Sequence, residues 1–434
     1  MSENVVPSGR PRVLLVGGKP KQVRKAHELG LDVVLVQYPD AYERGHWPFV
    51  EQALLLDYGD IDRLLPLVRA LYDAYPFEAA VSLFELGLLP AAKINEALGL
   101  RGESVATVEL LLDKWRMRRH LAERGVSPVA SAVGRSGEDV REFVEAHGLP
   151  IIVKPVRESG SLGVFRVQDQ ADVDAVAERF RALDDGHWVT GDLADADSFE
   201  EFLMEEFLDG PELSVESLSF NGRHVLVGVT DKEILVSGFV EIGHSQPSGI
   251  SAETLGEVAR LVIEFLDAVG LRNGPAHTEV KLTSRGPRIV ESHNRIGGDR
   301  INELTEVVYG VDMERYALGA GFGVVEPLVA SPEARGGAAV RFLTPEPGRV
   351  VEVSAVDAVR ADPAYVDLEL RVGPGDEVSP LTWNEDKVGL VIARGASAAE
   401  AVAHGKRLAA TIHLPTEPIH EPAEPIHERA EPIP

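Results

Sequence analysis

The chain contains no cysteine. Disulfides, a thiolate nucleophile and cysteine-based zinc sites are therefore excluded. It has no apolar run long enough to span a bilayer, and its first residues, "MSENVVPSGR", lack the apolar core of a secretory signal. A cytoplasmic location is the expectation. Positive charge is also scarce: 43 Lys and Arg stand against 70 Asp and Glu, a formal net charge of −27. Such a surface repels nucleic acid and anionic membranes, so neither is expected as a partner. An anionic ligand then needs a local basic pocket, which makes isolated Lys and Arg near Gly-rich turns informative. Two nucleotide fingerprints are missing as well. The first strand runs into Gly17-Gly18 without G-x-G-x-x-G, and no Gly-Lys-Ser/Thr follows the later Gly/Ser turn, so a Walker A loop is excluded.

What is present is apolar enough to fold: 44% of the 434 residues, too many for one core, which predicts two to four domains. "RVLLV" at Arg12 to Val16, "LDVVLVQYP" and "AAVSLF" at Ala79 to Phe84 alternate with helical stretches. That pattern predicts a parallel, doubly wound sheet over the first hundred residues. "SVATVELLLDKWRMRRHLAERGV" reads as an amphipathic helical stretch with Lys114 inside it. From Ser131 the pattern becomes α+β, with "HTEVKLT" and "PRIVES" as a hairpin. After about Ala330 the strands "AAVRFL", "VDLELRVG" and "VGLVIARG", with a helix from Ser397 to about Ile412, predict a smaller domain. Glu417 to Pro434 repeats proline too densely for a helix or a core and is expected to be a disordered tail. His420 and His427 in it are either metal donors or solvated.

Four separated segments carry nucleotide chemistry. Lys114 lies in "LLDKWRMRRHL"; alone it is an ordinary surface lysine. In "IIVKPVRESGSLGV", Lys154 sits in an apolar strand, where an ammonium needs an anionic partner. Ser159, Gly160, Ser161 and Gly163 follow and can bring backbone N–H groups to phosphate oxygens, although a Gly/Ser turn also suits a plain hairpin. In "MEEFLDGPELSVE", Phe207 and Leu208 offer an apolar slot for adenine, Glu205 an acceptor for its amine and Glu212 one for ribose; an amphipathic strand with solvated acids is the alternative. In "HTEVKLTSRGPRIVESHNR", Glu279 and Glu291 fall on adjacent strands, close enough to share Mg²⁺, which prefers hard oxygen ligands.

The succession Lys114, Lys154 with its Gly/Ser loop, Glu205 to Glu212, Glu279, and Glu291 with Arg295 resembles the ATP-grasp superfamily over nearly the whole chain, most closely the carboxylate–amine ligases related to L-amino acid (dipeptide) ligases and carnosine synthase. The resemblance implies an α/β and α+β multidomain protein. Residues 1–105 would form a Rossmann-like pre-ATP-grasp domain. Residues 106–330 would form the ATP-grasp domain, with a central lid part at about 130–210 and a C-terminal part at about 211–330. A small α+β domain at 331–416 and the tail at 417–434 complete the chain. It also implies roles. Lys114 and Lys154 hold ATP phosphates under the loop from Ser159 to Val164. Glu205, Phe207, Leu208 and Glu212 contact adenine and ribose. Glu279 and Glu291 hold magnesium, with manganese as a substitute, and Arg295 steadies an acyl phosphate and the tetrahedral intermediate that follows. The family's E-x-N-x-R is altered: His293 stands where the metal-binding Asn is expected and Asn294 is displaced by one. Either Asn294 reaches in through a bulge, or one protein ligand is lost, or His293 merely packs.

On this reading the chain joins a carboxylate to an amine at the expense of ATP. Gly297 and Gly298 admit the acyl phosphate, and Asp299 meets the ammonium group. Glu85, Lys232, His244 and Arg341 are further candidates for substrate contact. Related ligases imply a homodimer. Two rivals remain: a biotin-carboxylase-like or purine-pathway enzyme that activates bicarbonate, and a catalytically silent nucleotide-binding protein.

Overall fold

Four short apolar strands, β1 (Arg12–Val16), β2 (Asp32–Gln37), β3 (Gln52–Leu55) and β4 (Ala79–Val81), pair in parallel in the order β3-β2-β1-β4. Every residue of β2 is buried, as a strand covered on both faces requires. The computed structural model describes residues 9–157, 163–176, 201–235 and 239–419. The Gly/Ser residues Ser159, Gly160 and Ser161, and the tail histidines His420 and His427, lie outside the described residues.

A second, antiparallel sheet joins β5 (Ser131–Gly134), β6 (Ile151–Pro155), β7 (Phe165–Val167) and β8 (Phe202–Glu206) in the order β5-β8-β6-β7. The third and largest sheet contains β9 (Glu212–Phe220), β10 (Arg223–Ile234), β11 (Glu241–Gln246), β12 (Gly274–Thr283), β13 (Gly286–His293) and β14 (Gly337–Phe342). The helix Ala252–Val269 packs on it through Val258, Val262, Phe265 and Leu266 around Val215, Ala276 and Ile289. β15 (Gly348–Val350), β17 (Glu377–Val378) and β19 (Thr416–Glu417) form a small separate sheet, while β16 (Tyr365–Leu370) and β18 (Gly389–Gly395) do not.

The strands β14, β18 and β16 of the C-terminal segment continue the large sheet in the order β13-β12-β9-β10-β11-β14-β18-β16. β11 would otherwise expose an unpaired edge, and β14 covers it. Glu417 is not tail, because its strand pairs with β15. The long helical stretch is broken at Asp113, which leaves helical geometry (φ −117, ψ 101) and caps a new helix, Lys114–Arg124, by accepting from Arg116 N–H. Lys114 is therefore the first residue of a helix rather than inside one. Among the described residues, no helix is long and apolar enough to cross a membrane.

Candidate active site

A cavity of about 340 Å³ opens between the second sheet and the large sheet. Strand alternation aims the chemistry into it, since residues two apart share a face. His277, Glu279 and Lys281 line it from β12, Glu291 and His293 from β13, Lys154 from β6, and Glu205 from β8. Lys114, Phe207, Leu208, Glu212, Lys232, Arg295, Gly298 and Asp299 join the same wall. Residues spread over almost two hundred positions of sequence are thus gathered in one place.

Lys114 and Lys154 are both buried. Lys114 reaches Glu291 (Nζ to Oε2, 3.2 Å) and Lys154 reaches Glu205 (Nζ to Oε2, 2.7 Å). The Lys114 N–H also donates to Val156 O (3.1 Å), tying the two lysine segments together. Glu205 differs from the adenine acceptor expected of it. One of its oxygens takes Lys154 and the other takes Arg118. Burial alone would push its carboxyl up, but these two cations bring it down to about 2. Glu205 is an anchor for two cations. Arg118 was not legible as functional in the sequence; it further donates to Ile289 O (2.6 Å) and Val290 O (2.8 Å), bracing β13. Phe207 lies under the guanidinium of Arg166, 4.0 Å from its ring centre, and Leu208 is buried. Gly163 adopts φ 66, a left-handed conformation that favours glycine.

Glu279 and Glu291 face each other across the β12–β13 ladder. A bulge produces this register: Val280 pairs with Ile289 but Glu279 with Glu291, so Val290 is the extra residue. Without it Glu291 would fall on the other face. Both carboxyls would be raised by burial, yet both are held low, Glu279 chiefly by Lys232 and Glu291 chiefly by Lys114. Two half-buried, ionised carboxylates on facing positions supply the hard oxygens that suit a small divalent cation. His293 shares the face of Glu291 and lines the cavity, while Asn294 follows the end of β13 and does not. The bulge therefore precedes Glu291 and does not bring Asn294 in. Among the described residues neither ring nitrogen of His293 makes a hydrogen bond. Its imidazole is a poor donor for a hard cation, so the fit rests on the two carboxylates.

Lys232 lies among three acids, with Nζ 2.9 Å from Glu212, 2.7 Å from Glu241 and 2.5 Å from Glu279. Burial opposes its charge, but the carboxylates raise it well above the ordinary lysine range. Glu212, expected at ribose, is thus held by Lys232 and approached by Lys281 (3.5 Å). His277 escaped the sequence reading, although its place two residues before Glu279 puts it on the same face. Its Nδ1 is 2.6 Å from Glu216 Oε1, and despite burial this pairing raises it to about 9.

Arg295 forks onto Glu85 of the N-terminal domain, through Nε (3.1 Å) and Nη2 (2.8 Å). Gly297 is small for a different reason from the one expected. A Cβ there would lie 2.9 Å from His277 Nδ1 and 3.1 Å from both Glu216 oxygens, so it packs against that pair rather than facing the cavity. Gly298 does face it. Asp299 takes Lys387 (2.6 Å) and approaches His244 (3.4 Å) through Oδ2. Arg341 is a correction: it pairs with Glu233 (2.9 Å) and, like His244, lines a second cavity of about 200 Å³ and not the first, with Lys232 bordering both.

Comparison with known proteins bears on the fold and the family. Family models match as an ATP-grasp N-terminal domain over residues 23–102, an ATP-grasp domain over 147–303 and an L-amino acid ligase C-terminal domain 2 over 341–417. Alanine–anticapsin ligase of Bacillus subtilis (strain 168) is 30% identical over 248 residues, 54% of this chain and 52% of that protein. Carnosine synthase 1 of Homo sapiens is 27% identical over 290 residues, 63% of this chain and 34% of that protein. The chain thus spans about half the length, or less, of these curated relatives. The crystal structure of an L-amino acid ligase from Bacillus licheniformis superposes with a TM-score of 0.80 at 23% identity, covering 94% of this chain and 99% of that one, a likeness of fold.

Proposed function

From a chain built of an ATP-grasp N-terminal domain, an ATP-grasp domain and an L-amino acid ligase C-terminal domain 2, we infer an ATP-dependent carboxylate–amine ligase acting on amino acids. The observation that carries this reading is the facing pair Glu279 and Glu291, ionised, beside Lys114 and Lys154 in one cavity. Lys114 and Lys154 bind ATP phosphates, and Phe207 with Leu208 borders the adenine. Glu279 and Glu291 would hold Mg²⁺, or Mn²⁺ in its place, and the ion would supply positive charge to offset that of the transferring phosphoryl group.

The substrate carboxylate attacks the γ-phosphorus in line; ADP leaves and an acyl phosphate forms. The amine nitrogen then attacks the acyl carbon, phosphate leaves, and an amide results. Arg295 meets the developing negative charge with a planar fork that stays protonated. Asp299 receives the amine as ammonium; the nitrogen gives up one proton to solvent before it attacks and a second as the amide forms, carried off with the departing phosphate. The match at residues 341–417 supports amide formation over bicarbonate activation. A homodimer is part of this reading.

The test is a phosphate-release screen over pairs of the proteinogenic L-amino acids, with product masses measured and bicarbonate supplied or withheld. An amide of the two amino acids, with ADP formed in equal amount, is the expected result. Bicarbonate-dependent ADP release without any amide overturns it.

A further inference from the structure

The wall around Asp299 is completed by a turn from the C-terminal domain that nothing in the sequence singled out. Asp386 Oδ2 accepts from Thr382 N–H (2.8 Å), the Thr382 hydroxyl (2.8 Å) and Trp383 N–H (3.1 Å), which fixes the turn. Asn384 and Glu385 line the cavity, and Asn384 Oδ1 accepts from Glu241 N–H (3.1 Å), tying the turn to β11. Lys387 ends it. Its side chain is 2% exposed, its ammonium lies 3.9 Å from the centre of the Phe342 ring on β14, and it donates to Asp299 Oδ2.

Asp299 itself is in a left-handed conformation (φ 48), one that Asp tolerates better than most side chains. Lys387 and His244 both address its Oδ2. Lys387 is not part of the cavity wall, whereas Asp299 is. Replacing a buried ion pair by apolar side chains of similar volume is often neutral or stabilising, so stability alone does not account for a lysine here.

On the ligase reading above, we propose that Lys387 is a positioning residue: it holds the Asp299 carboxylate aimed at the ammonium group of the amine substrate. The C-terminal domain then sets the affinity for the amine without touching it, and leaves ATP binding and carboxylate activation alone.

The probe is the amino-acid pair that releases phosphate fastest from the wild-type chain. In Lys387→Met the KM for the amine should rise about tenfold to a hundredfold, the range commonly seen when a supporting partner is lost. ATP affinity by calorimetry and hydroxamate formation at saturating hydroxylamine, which reports acyl phosphate, should stay within about twofold, a margin well under the tenfold that 1.4 kcal/mol represents. Lys387→Arg should recover part of the amine affinity. In an Asp299→Asn background, Lys387→Met should add no further loss. A thermal melt controls for folding, and Lys387→Arg keeps the test alive if Lys387→Met is unstable. Amine KM unchanged in Lys387→Met, or ATP affinity lost in proportion, overturns the assignment of Lys387 alone. Failure of every pair to release phosphate overturns the ligase reading and this inference with it.

Discussion

The guanidinium of Arg295 is bound by the carboxylate of Glu85, 210 positions earlier in the chain, with Nη2 2.8 Å from Oε2. Burial would raise the Glu85 carboxyl, but His293 and Arg295 hold it below the usual range. The pair joins the end of β13 to the helix Glu85–Leu98 that follows β4. Arg295 is therefore oriented by the N-terminal domain before any substrate arrives. Arg295→Ala is expected to keep ATP affinity within a few-fold while amide formation falls about 10²–10³-fold, as for loss of one preorganised electrostatic partner. Glu85→Gln, which keeps the shape but frees the guanidinium, should cost less. Calorimetry beside product mass on the same variants checks both. Proportional loss of ATP binding would instead make Arg295 a ground-state phosphate anchor.

The carboxylates of Glu279 and Glu291 are predicted to be needed separately. Glu279→Gln and Glu291→Gln each remove one of the proposed hard ligands, and turnover should become undetectable in both at temperatures where the melt shows the variant folded. Raising Mg²⁺ should not rescue either variant. Near wild-type rates at saturating Mg²⁺ in one variant would remove that residue from the metal site.

Glu205 predicts a stability effect. Glu205→Gln leaves Arg118 and Lys154 without their buried counter-charge, a change that typically costs about 3–5 kcal/mol. Its carboxyl stands at about 2 in the folded chain against an ordinary 4.5. A depressed acid stabilises above its unfolded value and loses that contribution as pH falls through the folded one. The gap in denaturation midpoint between wild type and Glu205→Gln should thus be constant above about pH 4.5 and shrink towards pH 2. A gap that does not respond to acid would mean the anchoring is not ionic.

His277 has the opposite sign. With Glu216 it is raised to about 9 from 6.5. A raised base stabilises fully below its unfolded value and loses that contribution as pH rises through the folded one. Wild type should outlast His277→Gln by a margin that is full below pH 6.5 and falls away towards pH 9. Thermal midpoints across that range are the measurement, and an equal margin at both ends would count against a charged pair.

Much of this protein could be read from the sequence because it depends on local rules. The four apolar strands of the first sheet alternate with helices, and that alternation is a property of side-chain order. The β12–β13 hairpin was visible for the same reason, as were the residue types that suit phosphate and metal. Spacing even placed Glu279 and Glu291 on neighbouring strands. Register was not visible. A single extra residue, Val290, decides that Glu291 faces Glu279, and a one-residue slip reverses every side chain on a strand. Partners distant in the chain were not visible either. Glu205 offered its charge to the sequence reader as an adenine contact, and only the arrival of Arg118 and Lys154 from two other elements made it an anchor. Arg341 looked like a substrate contact, but the fold places it beside Glu233 in the second cavity. The sequence by itself determined which groups this protein owns and the elements that carry them. The tertiary structure decided which of those groups meet, because long-range pairing is set by the packing of whole sheets and leaves no periodic mark on the chain.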